Sequence, residues 1–319
     1  MAVPDNWPEQ LRDHVSRLME ASRLGFPDSA YMGDEPFPGF VLTERADSWD
    51  AFTAWVAELQ GSWGFRGQRD SGWVLNTSLD RAVRREYSSP TGSGHSHLPR
   101  APEIRNLLFR FQQQAHQYIP QPPQVDDLTS WLALMQHHGV PTPFLDWTRS
   151  PYVGLYFAME EDPADGGCAV WGIDLQWLDD KARKLLPSGF PAAVEVKQCA
   201  EYVNGWILSD SSQVAILAVH PSRLDARMAA QQGFFLCKLY HQVFFSQVLM
   251  SMIMHPIADN VPDLPSTPVV RRLVIDKDRR IEFLKNLRDM NIHRASLFPG
   301  LDGFGQSLKL DLEIRVRGS

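Results

Sequence analysis

An arginine stands beside a glycine in the run Phe65-Arg66-Gly67-Gln68. The surrounding window is aromatic and too short for a helix, so we expect a strand over residues 62–68. A guanidinium is a planar fork of donors that suits a phosphate or a carboxylate, and a neighbouring glycine lets a ligand or another backbone come close. Arg66 is therefore a candidate anion-binding residue, and the plain alternative is a surface ion pair.

Three polar side chains, Gln136-His137-His138, close a predicted helix just before Gly139. They could converge on one ligand at the helix end. Adjacent histidines point in different directions on a helix, and a two-histidine metal site would need i, i+4 spacing. We therefore expect no metal here, and the common role for one of these histidines is to meet the helix dipole at its C-terminus.

The polar run DWTRS follows at residues 146–150. If Asp146 is buried it needs a partner, which Arg66 or one of the two histidines would supply. Trp147 could pack in the core or stack on a base or a nicotinamide ring. Ser150 stands before a proline, the pattern of an N-cap followed by proline at the first helical position.

A fourth polar group precedes a predicted strand. Arg227 and Gln231 are four residues apart, so they would share one face if their segment is helical. Gly233 follows and again suggests a close approach. The alternative is an ordinary surface helix end.

These residues need a scaffold, and hydrophobic periodicity predicts one in which helices and strands are interleaved without regular alternation. Helices are expected over residues 48–60, from 78, and over 103–118, 127–138, 152–160 and 277–290. Strands are expected over residues 168–175, 214–220, 234–239, 269–275 and, from alternating apolar and charged residues, 308–316. The sequence therefore indicates an α+β fold with mixed, mainly antiparallel central sheets and flanking helices.

No internal repeat and no long linker divides the chain. We expect residues 61–319 to form one domain, with residues 1–60 as a helical segment packed on it. That segment includes an amphipathic stretch at 8–24, and a Ser/Gly/Pro/His-rich loop is expected at 87–100. The apolar run at 243–254 is too short and too polar to span a bilayer.

Whole-chain composition narrows the class of protein. The chain has 319 residues, of which 44% are hydrophobic, and a formal net charge of −7. An acidic balance argues weakly against a general nucleic-acid coat or a membrane-surface binder. Cys168, Cys199 and Cys237 are far apart and odd in number, and no secretory signal is seen at the N-terminus. We therefore expect a cytoplasmic protein and leave its oligomeric state open.

Together and in this order, the motifs resemble the FRG domain, a family named for a Phe-Arg-Gly run like that at residues 65–67. The block WLALMQHHGVPTPFLDWTRSPYVGLYFA at residues 131–158 is similar to the central motif of that family. The segments at 227–235 and 295–303 are similar to its later motifs, so the resemblance covers roughly residues 60–309. FRG domains occur mainly in bacterial and phage-related proteins.

A second resemblance is to ADP-ribosyltransferases of the Arg–Ser–Glu type. Their pattern is a strand with Arg-Gly, a hydroxyl-rich strand, a helix with an A-x-x-F-A-like face and a late catalytic Glu. Arg66-Gly67 is similar to the first element, and Thr148-x-Ser150 to the second. The late Glu has no clear counterpart, and the candidates for its place are Gln231, Gln232, Glu282 and Asp302.

This second resemblance implies an ADP-ribosyltransferase-like arrangement and NAD as a substrate. It implies an NAD-dependent ADP-ribosyltransferase or an NAD glycohydrolase acting as a bacterial toxin or phage-defence effector. The implied catalytic residues are Arg66, Asp146, Ser150 and Gln231, with Asp146 supplying the charge of the missing Glu. The residues implied around NAD are Arg66, Gly67, Gln68, Gln136, His137, His138, Trp147 and Thr148. The acceptor would be a nucleic acid or a protein, and no membrane partner is expected.

Two other interpretations stay open. The same polar groove could recognise a nucleotide or a nucleic-acid end without catalysis. Alternatively, His137, His138 and Asp146 could perform the acid–base chemistry of a hydrolase, because histidine titrates near neutrality.

Overall fold

A computed structural model describes residues 41–87, 101–186, 213–221, 225–241, 244–254 and 267–317, with short stretches at 204–205, 209, 256–258 and 261–262. The amphipathic stretch expected at 8–24, nearly all of the loop expected at 87–100, and Cys199 lie outside these residues.

A seven-stranded sheet organises the described residues. Its strands are β1 (Leu42–Ala46), β2 (Trp63–Gln68), β3 (Phe144–Thr148), β4 (Cys168–Asp174), β5 (Ile216–Val219), β6 (Gly233–Lys238) and β9 (Val270–Ile275). They lie side by side in the order β1-β9-β4-β2-β3-β6-β5. The pair β1–β9 is parallel, and the other five pairs are antiparallel. A separate small sheet joins β7 (Pro256–Ala258) and β8 (Val261–Pro262). The fold is α+β with a mixed, mostly antiparallel open sheet, which confirms the predicted class.

Helices cover both faces of the large sheet. They are α1 (Trp49–Glu58), α2 (Ser78–Tyr87), α3 (Ala101–Ala115), α4 (Leu128–His137), α5 (Pro151–Met159), α6 (Leu175–Leu185), α7 (Ala226–Ala230), α8 (Phe245–Met254), α9 (Arg280–Asp289), α10 (Arg294–Leu297) and α11 (Leu301–Arg317). A short 3₁₀ helix, Lys277–Arg279, leads into α9. No helix among the described residues is long and apolar enough to cross a membrane.

Two apolar cores lie on the two faces of the sheet. One surrounds Trp171 and Phe234 and includes side chains of α3, α4, α6 and α8. The other surrounds Phe65 and Tyr156 and includes side chains of α1, α5, α9 and α11. Burying each such side chain contributes about 1.5–3 kcal/mol, so both faces of the sheet help to hold the central strands in place.

Local sequence rules account for several element boundaries. The Ser48 and Asp127 side chains accept hydrogen bonds from Ala51 N and Ser130 N, and so begin α1 and α4. Such caps satisfy amide groups that have no partner within the helix. The predicted helices and the strands over 168–175, 214–220, 234–239 and 269–275 are confirmed, with ends shifted by a few residues.

The strand predicted over residues 308–316 is wrong, because this segment belongs to helix α11. Its alternating apolar residues occupy two opposite faces of the helix. Leu310 and Ile314 pack against the core, whereas Leu308 and Leu312 are exposed. Alternation with a period of two is the usual sign of a strand, and tertiary packing overrode it here.

Residues before 61 also contribute to the sheet. Within the segment expected to be helical, Leu42–Ala46 forms edge strand β1. Its Glu44 carboxylate accepts hydrogen bonds from Arg271 Nε at 2.9 Å and Nη2 at 2.7 Å, and from Trp55 Nε1 at 2.9 Å. A bidentate guanidinium–carboxylate pair fixes geometry as well as charge, so Glu44 ties β1 to β9 and to α1.

Candidate functional site

Arg66 spans a gap between the two central strands. Strands β2 and β3 share a single register pair, Phe65 with Thr148. Arg66 Nη1 donates a 2.7 Å hydrogen bond to the main-chain oxygen of Asp146, and its side chain is only 16% exposed. The guanidinium therefore joins two strands that make little direct contact.

The carboxylate of Asp146 lies at the mouth of this gap. Its Oδ2 is 3.8 Å from Arg66 Nη1, and its side chain is 65% exposed. Its Oδ1 accepts a 2.7 Å hydrogen bond from Gln136 Nε2. The carboxylate is thus open to solvent and oriented by an amide, next to a largely buried cation.

A chain of hydrogen bonds holds the side-chain amide of Gln136 in place. The hydroxyl of the fully buried Thr142 donates to Gln136 Oε1. Thr142 N in turn donates to Ser78 Oγ at 3.0 Å. Because the residue behind Gln136 is buried and hydrogen-bonded, the amide that contacts Asp146 is held in one orientation.

Burial lowers the pKa of Arg66 to about 10. The nearby Asp146 charge opposes that shift, and the positive charge of Arg81 adds to it. Arg66 stays a cation at neutral pH. Its Nε is buried and has no hydrogen-bond partner among the described residues, and a buried donor left unpaired costs about 1–3 kcal/mol. Arg66 therefore places a largely buried cation, with one unpaired donor, beside the Asp146 carboxylate.

The hydroxyls of the predicted site residues Thr148 and Ser150 make hydrogen bonds within the fold. Thr148 Oγ1 donates to the main-chain oxygen of Gln231 at 2.7 Å and accepts from Ser150 N at 3.1 Å. Ser150 Oγ accepts from Val153 N at 3.3 Å and caps α5. Both side chains hold the turn between β3 and α5, as the N-cap pattern of Ser150 predicted.

Gln231 is likewise engaged in packing. It ends α7, and its Nε2 donates to the main-chain oxygen of Leu297 at 3.0 Å. The Arg227 and Arg294 guanidiniums each lie 4.4 Å from the ring centre of Phe298. These contacts join α7 to α10, and they place Gln231 in an interface between elements.

Three more predicted site residues are part of the packed interior. A Cβ on Gly67 would lie 2.1 Å from the main-chain oxygen of Gly154, so this glycine lets α5 pack on β2. Gln68 is 6% exposed, and its Oε1 accepts from Trp171 Nε1 at 2.7 Å. Trp147 is 3% exposed. In this conformation Trp147 offers no open face on which a nicotinamide ring could stack.

The two histidines lie at the exposed end of α4. Their ring centres are 5.0 Å apart, and His137 Nδ1 is 3.6 Å from the Asp225 carboxylate. Partial burial lowers the pKa of His137, Asp225 opposes the shift, and Arg227 and His138 add to it. The carboxylate beside His137 is therefore that of Asp225 and not that of Asp146. The described residues contain no group of three or more side chains that could hold a metal ion.

The structure thus brings together three of the predicted residues, Arg66, Gln136 and Asp146. Sequence reasoning missed two residues that act on them, Thr142 and Arg81. Thr142 had a signal, because it stands between two prolines that force an extended path beside the polar run. No sequence signal indicates Arg81, since only the fold brings α2 near Arg66.

Comparison with known proteins identifies a domain family for part of the chain. Residues 61–166 match the family model described as FRG domain. The chain therefore contains an FRG domain over these residues. The matched residues include β2, α4, β3 and α5, and hence Arg66, Gln136 and Asp146. No curated protein matches the chain, and no solved structure matches it either.

Proposed function

We propose that this FRG-domain protein cleaves NAD, as an ADP-ribosyltransferase or an NAD glycohydrolase, in the role of a bacterial toxin or phage-defence effector. The observation that carries the proposal is the pairing of Arg66 with Asp146, a largely buried cation 3.8 Å from an exposed carboxylate. NAD presents the matching chemistry, because it has an anionic pyrophosphate close to a bond whose cleavage develops positive charge on a ribose.

In the proposed reaction, the donors of Arg66 bind the pyrophosphate or the ribose through charge-assisted hydrogen bonds. The bond between ribose C1′ and the nicotinamide nitrogen breaks, and its electron pair leaves with neutral nicotinamide. The Asp146 carboxylate, oriented by Gln136, stabilises the positive charge that develops on the ribose. Water or an acceptor nucleophile then bonds to C1′ and releases a proton.

The test is nicotinamide release from NAD, followed by chromatography, with the protein alone and then with RNA, DNA or cell lysate. Asp146→Asn keeps a polar side chain of nearly the same shape and removes the charge. We expect at least a roughly 100-fold slower release, the size of effect seen when one transition-state contact is lost. Stability should change by no more than about 1 kcal/mol, because the Asp146 side chain is largely exposed.

The matched control is Glu161→Gln. Glu161 is also an exposed carboxylate paired with an arginine, because its Oε2 lies 2.7 Å from Arg69 Nη1. It lies outside the cluster of Arg66, Gln136 and Asp146, so this variant should release nicotinamide at the wild-type rate. Absence of release under all conditions, together with no thermal shift on adding NAD, would remove the proposal.

A second candidate is a binding module for a nucleotide or a nucleic-acid end. The engagement of the Thr148 and Ser150 hydroxyls and the Gln231 amide in the fold favours it, since fewer groups are left for catalysis. The same assay separates the two candidates. Stabilisation by NAD or a nucleotide without any release of nicotinamide would identify a binding module.

A further inference from the structure

A cleft lies where the end of α1, the start of β2 and the turn between β3 and α5 come together. Its volume is about 330 Å³, within the range of sites that hold small molecules. Two polar side chains, Ser62 and Arg149, line it, and we call it the Arg149 cleft. Apolar side chains form the rest of its wall: Val56, Leu59, Trp63, Phe65 and Pro151.

The Arg149 cleft is separate from the cluster of Arg66, Gln136 and Asp146. Side chains alternate between the two faces of a strand, so Trp63 and Phe65 lie on one face of β2 and Arg66 on the other. None of the three cluster residues lines the cleft. A ligand site here would therefore be a second one, and it does not depend on the proposed cleavage of NAD.

The aromatic wall of the cleft is held in one orientation. Trp63 Nε1 donates a 2.9 Å hydrogen bond to the main-chain oxygen of Gln60. The Trp63 ring also lies against Gly172, where a Cβ would come within 3.3 Å of its Cε3 atom. The ring is only partly buried. A ligand would therefore meet a preformed aromatic surface and would not have to order it.

Arg149 supplies a fixed positive charge beside that surface. Its Nη1 donates to Ser62 Oγ at 2.9 Å, and its guanidinium lies 4.9 Å from the ring centre of Phe234. Its charge lowers the pKa of the nearby His220. No carboxylate of the described residues pairs with Arg149, so the structure does not neutralise this cation from within the described residues.

We propose that the Arg149 cleft binds a compact aromatic carboxylate, with its ring against Trp63 and its carboxylate on Arg149. A guanidinium binds a planar carboxylate through two parallel N–H donors, and an aromatic ring packs well on tryptophan. The small volume limits the ligand to one or two fused rings. A single cation matches a monoanion, whereas a phosphate monoester would bring a second negative charge without a partner.

Titration calorimetry on the full chain tests the ligand class with three probes: naphthoate, naphthamide and acetate. Naphthoate should bind at submillimolar concentration. Naphthamide has the same ring without the charge and should bind at least about tenfold more weakly, because a hydrogen bond to a charged group is lost. Acetate should show no binding. Equal binding of naphthoate and naphthamide, no binding of naphthoate, or tighter binding of naphthyl phosphate would overturn the proposal.

Substitutions locate the site. Arg149→Gln should weaken naphthoate binding at least about tenfold and leave naphthamide binding unchanged. Arg69→Gln is the matched control, because Arg69 also lies over an aromatic ring, 5.4 Å from the ring centre of Trp73. It should bind naphthoate like the wild type. Equal affinities of the Arg149→Gln and wild-type proteins for naphthoate would refute the proposal.

Two further variants keep Arg149 in place. Ser62→Asp changes an exposed residue and sets a carboxylate beside the guanidinium, so it should also weaken naphthoate binding at least about tenfold. Asp146→Asn should bind naphthoate like the wild type, because Asp146 lies outside the cleft. Unchanged binding by Ser62→Asp, or altered binding by Asp146→Asn, would mean that naphthoate binds elsewhere.

Discussion

Arg66 combines two roles at the residue scale. Its side chain joins β2 to β3 through the Asp146 carbonyl, and it is the cation of the candidate site. Loss of activity on replacing Arg66 would therefore mix a defect in folding with a defect in chemistry. Asp146 is the cleaner probe, because its carboxylate is largely exposed and its main-chain contact with Arg66 survives substitution.

The structural role of Arg66 leads to a prediction about stability. Arg66→Ala leaves the Asp146 carbonyl without its donor, so the free energy of unfolding should fall by about 1–3 kcal/mol in urea titration. Arg69→Ala is the control, since Arg69 pairs with Glu161 at the surface and should cost less than about 1 kcal/mol. Equal effects of the two variants would mean that Arg66 does not bridge the strands.

His220 provides a pH-dependent test. Its ring lies 5.7 Å from the ring of Phe234, and burial, reinforced by the charge of Arg149, lowers the pKa of His220. The unfolded chain therefore binds this proton more readily than the folded chain. The contribution of His220 to stability is complete above its ordinary pKa of about 6.5 and is lost as pH falls through the lowered folded pKa.

We expect the free energy of unfolding of the wild-type protein to fall as the pH is lowered from about 7.5 to about 5. The free energy of unfolding of His220→Gln should fall less steeply over the same range. Urea unfolding at several pH values measures this. A His220→Gln slope identical to wild type would show that burial does not perturb this histidine.

At the scale of elements, the site depends on how closely α5 packs on β2. Gly67 and Gly154 face each other where these two elements meet. The close approach holds the turn that contains Thr148 and Ser150, and it keeps β3 beside β2. The glycine of the Phe-Arg-Gly run thus serves helix packing, whereas the arginine beside it faces the candidate site.

Gly67→Ala should therefore be strongly destabilising. The added methyl would lie 2.1 Å from Gly154 O and 2.4 Å from Ala158 N, both of them main-chain atoms. We expect a loss of about 2–3 kcal/mol or more in the free energy of unfolding, measured by urea titration.

Gly305→Ala is the matched substitution. A Cβ at Gly305, within α11, would meet no atom of the described residues within 4 Å beyond the neighbouring backbone of its own helix. Since alanine favours a helix more than glycine does, this variant should gain about 0.5–1 kcal/mol. Similar losses from both alanines would show that α5 and β2 are not in close contact.

At the scale of the whole molecule, a buried ion pair joins elements that are distant in sequence. The Lys238 amine on β6 donates to the Asp80 carboxylate on α2, and both side chains are almost fully buried. Asp80 Oδ2 also accepts from Thr77 N at 2.9 Å and from Phe245 N at 3.2 Å. This one carboxylate therefore joins α2, β6 and the start of α8.

Lys238→Met should cost about 3–5 kcal/mol, because it leaves the Asp80 carboxylate buried without its cation. Adding Asp80→Asn to that variant removes the uncompensated charge and should recover part of the loss. Urea unfolding of the two single variants and the double variant measures the coupling. Strictly additive losses would show that the two groups are not coupled in the folded protein.

Local sequence patterns were enough to predict the features that depend on neighbouring residues. Periodicity predicted most helices and strands, and the N-cap role of Ser150 followed from the proline after it. Residue type and motif predict Arg66, Gln136 and Asp146 as site residues. Each inference used contacts between near neighbours or chemistry that belongs to the side chain itself.

Which of those groups meet depends on the packing of the whole fold. Thr148, Gln231 and Trp147 are also predicted site residues, but packing commits Thr148 and Gln231 to contacts within the fold and buries Trp147. Arg81 joined the site because α2 lies near β2. The 308–316 segment became a helix because Leu310 and Ile314 could be buried on the core. Burial and the pairing of distant residues depend on the whole fold, and local sequence patterns do not contain them.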